Sequence, residues 1–331
     1  MTKVIFAPDP KFKEFAPSID MLRDAGFDVA FLSDPRVVFG AVTDQETIDA
    51  LSGASAVMAG GERYTAKVLQ GLPQLRVIAR LGVGFDRIDI PAATRQGTLV
   101  TVTPNANHES VAEHAVALML AHAKNLVKSD RAQRAGGWPK EYSRPLRTKT
   151  LGVVGLGRIG RDVAVRALAF RMSIVATELY PDQEFVRSHG IEILDLDSLL
   201  SRSDYVSLNC PLNDETHGII DRTTLAKMKP GAVLVNTARG GLVVEADLVE
   251  ALNQGHLGGA ALDVFEQEPM DAGNPLLAMD NVIVSPHVAG NDTLSAQEMG
   301  IDAARSIIDL HSGRWPHGSV VNAELEHGWS W

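Results

Sequence analysis

Apolar segments of three to five residues alternate with longer amphipathic stretches along most of the chain. Short apolar runs between glycines, prolines or charges are typical of buried strands, and their alternation with helical stretches indicates a parallel sheet covered by helices. The first third contains a predicted helix over Phe12–Ala25, closed by Gly26. Its predicted strands are Val4–Ala7, Val29–Leu32, Ala56–Ala59 and Val77–Arg80.

The same rhythm resumes after residue 149 and indicates a second α/β domain with a doubly wound, dinucleotide-binding type of fold. The predicted strands here are Thr150–Val154, Ser173–Thr177, Tyr205–Leu208, Ala232–Asn236, Gly259–Leu262 and Val282–Val284. A last helix over Thr293–Leu310 is expected to return the chain to the first domain. The tail Glu324–Trp331 is expected to be loosely attached.

Between the two patterns lies one predicted helix, Ser110–Lys128, which is apolar around most of its circumference. A helix of this kind is usually buried. We therefore expect it to bridge two domains or to lie at a subunit interface, and we predict a homodimer. A loop over Gly136–Pro139 follows it.

Length and charge limit the classes of function. At roughly 150 residues per domain, a chain of 331 residues suggests two domains. The net charge of −10 weighs against a duplex-DNA partner, which requires a basic face. The single cysteine, Cys210, excludes an internal disulfide and suggests the cytoplasm. We expect no membrane segment or secretion signal.

The strongest local motif is a G-x-G-x-x-G sequence formed by Gly155, Gly157 and Gly160, which follows an apolar strand and opens a helix. The first glycine permits a tight turn, the second lets the backbone approach a pyrophosphate, and the third lets the helix pack on the strand. Glu178 follows the next strand at nearly the spacing of a carboxylate that binds the adenosine ribose. A carboxylate there repels a 2′-phosphate, so NAD is the predicted cofactor.

Three further segments in this half each follow an apolar run and contain Arg239, Glu268 or His287: Val235–Gly241, Leu262–Pro269 and Ser285–Gly290. Ligands of open α/β sheets bind at the carboxyl ends of the strands, so these side chains are expected to converge. An arginine can bind a carboxylate with its planar fork, and a histidine can move a hydroxyl proton near neutral pH. A glutamate beside the histidine favours its charged form. The trio suits 2-hydroxy acid chemistry.

These segments, the glycine motif and the sequence Ile78–Asp86 (IARLGVGFD) together resemble the D-isomer-specific 2-hydroxyacid dehydrogenases, nearest to their phosphoglycerate dehydrogenase-like members. The resemblance implies an α/β fold of two doubly wound parallel-sheet domains. A Rossmann cofactor domain, residues 104–293, would be inserted into a flavodoxin-like substrate domain formed by residues 1–103 and 294–331, with substrate bound in the cleft between them.

The resemblance also implies roles for individual residues. Arg239, Glu268 and His287 would be catalytic. The substrate would be bound by Arg239, Arg80 and the backbone amides of Gly82 and Val83. Besides the three motif glycines and Glu178, NAD would be contacted by Arg158, Ile159, Cys210, Pro211, Thr216, Thr237, Ala238, Asp263, Ala289 and Gly290. No metal is expected, because His108, His114 and His122 lack the spacing of a zinc site.

The substrate itself is left open. Ala59 stands where some phosphoglycerate dehydrogenases carry an arginine for the substrate phosphate, which weighs against phosphoglycerate, although Arg63 is close by. One alternative from another class is an NAD(H)-sensing corepressor of the same fold, since such relatives keep a similar trio. Formate dehydrogenase is a third alternative, but relatives with that activity carry glutamine where Glu268 stands.

Overall fold

The computed structural model describes residues 2–8, 13–32, 34–138 and 140–331. Phe12 of the predicted first helix and Pro139 of the predicted loop lie outside these ranges. The chain divides into two compact units, Met1–Asn107 with Gly290–Trp331, and His108–Ala289. The second unit is thus inserted into the first along the sequence. These divisions fall a few residues from the predicted ones and assign Ala289 and Gly290 to different units.

The first unit contains a five-stranded parallel sheet in the order β2-β1-β3-β4-β5, which is the flavodoxin-like order. The strands are β1 Lys3–Phe6, β2 Asp28–Phe31, β3 Ala56–Ala59, β4 Val77–Arg80 and β5 Leu99–Thr101. The helices before the insertion are α1 Ala16–Asp24, α2 Pro35–Val38, α3 Asp44–Leu51, α4 Ala66–Gly71 and α5 Ile90–Gln96.

The second unit contains a seven-stranded parallel sheet in the order β12-β11-β10-β9-β6-β7-β8, a Rossmann sheet with one added strand. The strands are β6 Thr150–Val154, β7 Ser173–Thr177, β8 Glu192–Ile193, β9 Tyr205–Leu208, β10 Val233–Asn236, β11 Gly259–Leu262 and β12 Val282–Val284. The helices are α6 His108–Ala123, α7 Leu126–Arg134, α8 Arg158–Ala169, α9 Gln183–His189, α10 Leu196–Arg202, α11 Arg222–Lys227 and α12 Glu245–Asn253, and α13 Thr293–His311 then belongs to the first unit.

Each sheet is buried on both faces, which explains why its strands are continuous apolar runs. Successive residues of a strand point to opposite faces. Val153 accordingly packs in the cluster under α6 and α8, whereas Val154 packs in the cluster on the opposite face. In the first unit, Val4 and Ile5 divide between two clusters in the same way.

The predicted helix Ser110–Lys128 is wrong in its extent, because the structure breaks it into α6 and α7. Asn125 lies between them with φ +51°, in the left-handed region that asparagine tolerates better than most residues. The apolar residues of α6 pack into the core of the second unit, against α8 and the sheet. Packing within the chain therefore explains why α6 is apolar around most of its circumference, and no subunit interface is needed to explain it.

The prediction of a loosely attached tail is wrong. Trp329 donates its indole N–H to the Gly97 carbonyl at 2.9 Å, and its ring lies 5.3 Å from the Arg76 guanidinium carbon. Trp331 contacts the rings of Phe27 and His311. The tail thus covers part of the first unit's core. Among the described residues, no helix combines the length and apolarity that a membrane span requires.

Candidate active site

The glycine motif forms the turn between β6 and α8. Gly155 has φ +90°, and a Cβ there would lie 2.8 Å from the backbone nitrogen of Cys210. A Cβ on Gly160 would overlap the carbonyl oxygen of Gly155. Gly157 differs from both, because a Cβ there would meet nothing within 4 Å among the described atoms. The turn and the packing thus require the outer glycines, and Gly157 leaves open space beside the backbone.

This open space adjoins the first turn of α8. Gly157 is the N-cap residue and supplies no side chain to cap the helix. Arg158 is exposed and Ile159 is half-buried at this end. Free N–H groups and the positive end of a helix dipole bind phosphates, so the turn has the geometry that a dinucleotide pyrophosphate requires.

Glu178 follows β7 and is fixed against the same turn. One carboxylate oxygen accepts the N–H of Leu156 at 2.7 Å, and the other accepts the N–H of Tyr180 at 3.1 Å. Each carboxylate oxygen can accept a further hydrogen bond. Glu178 therefore holds the glycine turn and still has acceptor capacity for ribose hydroxyls.

The loops after β9 and β10 carry the residues predicted to line the nicotinamide. Burial raises the pKa of the Cys210 thiol to about 11, so Cys210 is protonated at neutral pH and unsuited to act as a nucleophile. The Thr216 hydroxyl donates to the Pro211 carbonyl at 2.6 Å and closes the first loop. The Thr237 hydroxyl is buried and has no hydrogen-bond partner within the described part of the chain.

The catalytic candidates lie at the carboxyl ends of three adjacent strands, β10, β11 and β12. His287 Nδ1 lies 2.8 Å from Oε2 of Glu268, and the other oxygen of Glu268 accepts the Phe265 N–H at 3.2 Å. The Glu268 side chain is 16% exposed and that of His287 is 47% exposed. The structure thus joins these two residues as predicted from the sequence, with the imidazole open to a ligand.

Arg239 follows β10 at the same edge of the sheet. Asn236 fixes its backbone by donating to the Arg239 carbonyl at 2.8 Å. The guanidinium donates to the Ala238 carbonyl at 2.6 Å, and the side chain is partly exposed. The described residues contain no group of three or more histidine, cysteine, aspartate or glutamate side chains that could hold a metal ion.

Residues 116–289 match the family model described as the NAD binding domain of D-isomer specific 2-hydroxyacid dehydrogenases. A glyoxylate reductase of Thermofilum pendens is 42% identical over 272 residues, which are 80% of each chain. The chain belongs to this dehydrogenase family. The cofactor of its Rossmann unit is NAD.

Two further proteins are similar to this chain, one in sequence and one in solved structure. A D-3-phosphoglycerate dehydrogenase of Archaeoglobus fulgidus is 38% identical over 308 residues, which cover 92% of this chain and 57% of that relative. The chain thus spans about half the length of the curated phosphoglycerate dehydrogenases it matches. The crystal structure of D-lactate dehydrogenase from Aquifex aeolicus, complexed with NAD and lactic acid, superposes with a TM-score of 0.84 at 29% identity, over 96% of this chain and 99% of that one.

Asp263, which was predicted to contact NAD, makes several hydrogen bonds within the chain. Its carboxylate is fully buried and accepts three hydrogen bonds, from the Ser285 hydroxyl at 2.6 Å, the Val288 N–H at 3.0 Å and the Ala289 N–H at 2.8 Å. His114 Nε2 lies 2.9 Å from Ser285 Oγ. Sequence reasoning gave neither Ser285 nor His114 a role, because only the fold brings the two side chains together.

The substrate-binding candidates Arg80, Gly82 and Val83 belong to the first unit. The Arg80 side chain donates to the Gly84 carbonyl at 2.8 Å and to the Ala59 carbonyl at 3.2 Å. The Gly82 N–H donates to the Thr103 hydroxyl at 2.9 Å. The Gly82 N–H could therefore bind a substrate carboxylate only if its hydrogen bond to the Thr103 hydroxyl were broken. A Cβ on Gly290 would lie 2.9 Å from the Asn107 amide nitrogen.

Glu62 is a further ionisable residue of the first unit that the sequence did not single out. Its side chain is buried, and neither carboxylate oxygen has a hydrogen-bond partner of ordinary geometry among the described residues. Burial raises its pKa from 4.5 to about 7, against the smaller opposing effect of the Arg80 and Arg87 charges. The neighbouring Tyr64 hydroxyl is likewise buried without a partner in the part of the chain that is described.

Proposed function

We propose that the protein is an NAD-dependent oxidoreductase that interconverts a small D-2-hydroxy acid and its 2-oxo acid. The observation that carries this proposal is the contact between His287 Nδ1 and Glu268 at the carboxyl edge of the sheet that also bears the glycine turn. A histidine paired with a carboxylate at this edge can transfer the proton that 2-hydroxy acid oxidation and 2-oxo acid reduction require.

The two ring nitrogens of His287 would have different roles. Since Nδ1 faces Glu268, Nε2 is the nitrogen that would give a proton to the substrate oxygen during reduction and take it back during oxidation. Glu268 stabilises the charged imidazole. Arg239 would bind the substrate carboxylate through its planar fork. Bound NADH supplies the hydride.

The substrate class is proposed as small 2-hydroxy and 2-oxo acids. The relatives are named for phosphoglycerate and glyoxylate, and the Aquifex aeolicus enzyme was solved with lactic acid. The proposal therefore favours an acid of this size without choosing between phosphorylated and unphosphorylated members.

A turnover panel tests the proposal. Glyoxylate, pyruvate, hydroxypyruvate and phosphohydroxypyruvate are each mixed with NADH, and NADH absorbance is followed, with formate and NAD in a separate cuvette. At least one 2-oxo acid should be reduced, and the His287→Ala protein should bind NADH yet turn over far more slowly. A protein that binds NADH but reduces none of the acids overturns the proposal and fits the corepressor-like alternative. Oxidation of formate alone would favour formate dehydrogenase.

We also propose a homodimer and a cytoplasmic location. The apolar residues of α6 pack within the chain, and large apolar side chains are exposed after it at Leu126, Trp138 and Tyr142. Aromatic side chains such as those of Trp138 and Tyr142 are enriched at protein interfaces. Sedimentation at micromolar concentration should give twice the chain mass of 35.6 kDa. The triple change of these residues to glutamate should give the single-chain mass, and a wild-type monomer would refute the dimer.

A further inference from the structure

The backbone of His287 has an unusual conformation. Its φ is +53°, in the left-handed region that residues with a Cβ disfavour. Such a conformation persists only where surrounding contacts impose it. The contacts that hold residues 285–289 therefore decide where the imidazole lies.

Asp263 holds this segment from beneath. Its backbone carbonyl accepts the His287 N–H at 2.8 Å, and its carboxylate accepts the next two amides, those of Val288 and Ala289. The carboxylate also accepts the Ser285 hydroxyl at 2.6 Å. Contacts to this one buried residue therefore fix the segment on both sides of His287.

The hydrogen bonds determine which nitrogen of His114 carries a proton. The Ser285 hydroxyl donates its proton to the Asp263 carboxylate, which also accepts the two backbone amides. The only hydroxyl proton of Ser285 is then committed, and Ser285 Oγ can only accept from His114 Nε2, 2.9 Å away. His114 thus has Nε2 protonated and completes a chain of hydrogen bonds, His114 to Ser285 to Asp263.

A second contact comes from the same helix. Ser110, one turn before His114 on α6, donates its hydroxyl to the Ala289 carbonyl at 2.8 Å. Residues four apart lie on one face of a helix. The face of α6 that bears Ser110 and His114 therefore holds residues 285 and 289, the two ends of the segment that carries His287.

We infer that His114 is a positioning residue for the proton transfer by His287, acting through Ser285 and Asp263. The inference rests on the proposed function. His114 reaches neither Glu268 nor the imidazole in the described contacts, so its effect is expected on the placement of His287 and on kcat. The KM for the oxo acid should change little, and NADH affinity should change less than kcat, although Asp263 and Ala289 are also predicted NAD contacts.

The experiment compares four variants in the full chain. His114→Leu removes the N–H donor, and His114→Gln keeps one at nearly the same reach. His122→Leu is the matched control, because His122 lies on the same helix, eight residues beyond His114, with its ring beside Gly259. His114→Leu combined with His287→Ala tests whether the effect passes through the catalytic histidine. Reductive kcat, KM and the NADH dissociation constant are measured for each, together with hydrogen exchange of a peptide covering residues 285–290.

His114→Leu should lower kcat by roughly 10- to 100-fold, because a misplacement of about 1 Å can cost that much. His114→Gln should recover most of the loss, and His122→Leu should match the wild type. In the His287→Ala background, His114→Leu should cause no further loss. The amides of Val288 and Ala289 should exchange faster in the variants that carry His114→Leu.

An unchanged kcat in His114→Leu overturns the inference, as does the same fractional loss in the His287→Ala background. Unchanged exchange over residues 285–290 also overturns it. If the wild type reduces none of the oxo acids, the proposed function fails, and the exchange comparison still decides whether His114 holds the segment.

Discussion

The Nδ1 atom of His287 lies 2.8 Å from Oε2 of Glu268, and the backbone N–H of Phe265 holds the other oxygen of that carboxylate. The charged imidazole is therefore stabilised by a negative group that is itself fixed in place. Glu268→Gln keeps the shape and removes this charge. The reductive kcat should fall, because the imidazole that donates the proton loses its negative partner, and the pH dependence of the rate should change.

Paired pH–rate profiles of wild type and Glu268→Gln, in both directions, check this expectation. Removal of His287 itself should cost roughly 10²- to 10⁴-fold in kcat, the usual contribution of a general acid–base group. Coincident reductive profiles would show that Glu268 does not act on His287.

Replacing Arg239 by lysine keeps the positive charge and loses the bidentate fork. The KM for the oxo acid should rise and kcat should fall, while NADH affinity should barely change. Steady-state kinetics alongside NADH fluorescence titration separate the two effects. A selective loss of NADH binding would show that Arg239 binds the cofactor instead of the substrate.

Glu178 should make NAD strongly preferred over NADP. Its carboxylate is held against the glycine turn by Leu156, and a 2′-phosphate brought there would meet a like charge. In Glu178→Gln the gap in kcat/KM between the two cofactors should narrow, and Glu184→Gln, an exposed change on α9, should leave it unaltered. Equal efficiencies of the wild type with both cofactors would refute the assignment.

Glu62 should make stability fall as the pH rises. The folded-state pKa, raised from 4.5 to about 7 by burial, means that the folded chain binds the proton more tightly than the unfolded chain. The stabilisation is complete below pH 4.5 and is lost as the pH rises through about 7, a change of about 3 kcal/mol.

Chemical unfolding at pH 5 and pH 8 tests this. The free energy of unfolding of Glu62→Gln minus that of the wild type should be larger at pH 8 than at pH 5. The exposed Glu298→Gln in the same unit should show no such shift. A pH-independent difference for Glu62→Gln would mean that the carboxyl ionises as it does in water.

The sequence predicted most strands because each is a short apolar run ended by a glycine, a proline or a charge. Seven of them, including Thr150–Val154 and Gly259–Leu262, have the predicted bounds. The break at Asn125 was missed because Leu126 and Val127 continue the apolar pattern. The strands β5 and β8 were not predicted, and β8, with two residues, carries too few for a pattern.

The site was predictable where a motif carried it and hidden where only the fold brings residues together. Glu268 and His287 stand in recognisable strand-end segments. His114 and Ser285 are 171 residues apart, and although Ser285 stands in the same segment as His287, nothing in the sequence pairs it with His114. Glu62 lies between a glycine pair and Arg63, a setting that suggests a surface charge, yet the fold buries it.

The attachment of the tail determines what the protein's intrinsic fluorescence reports. Of the four tryptophans, Trp315, Trp329 and Trp331 pack on the core of the first unit, whereas Trp138 is largely exposed in the second. A shift in emission wavelength during denaturation therefore follows the flavodoxin-like unit almost alone. Unfolding of the NAD-binding unit would change the tryptophan emission very little. The fluorescence of bound NADH would report on that unit instead.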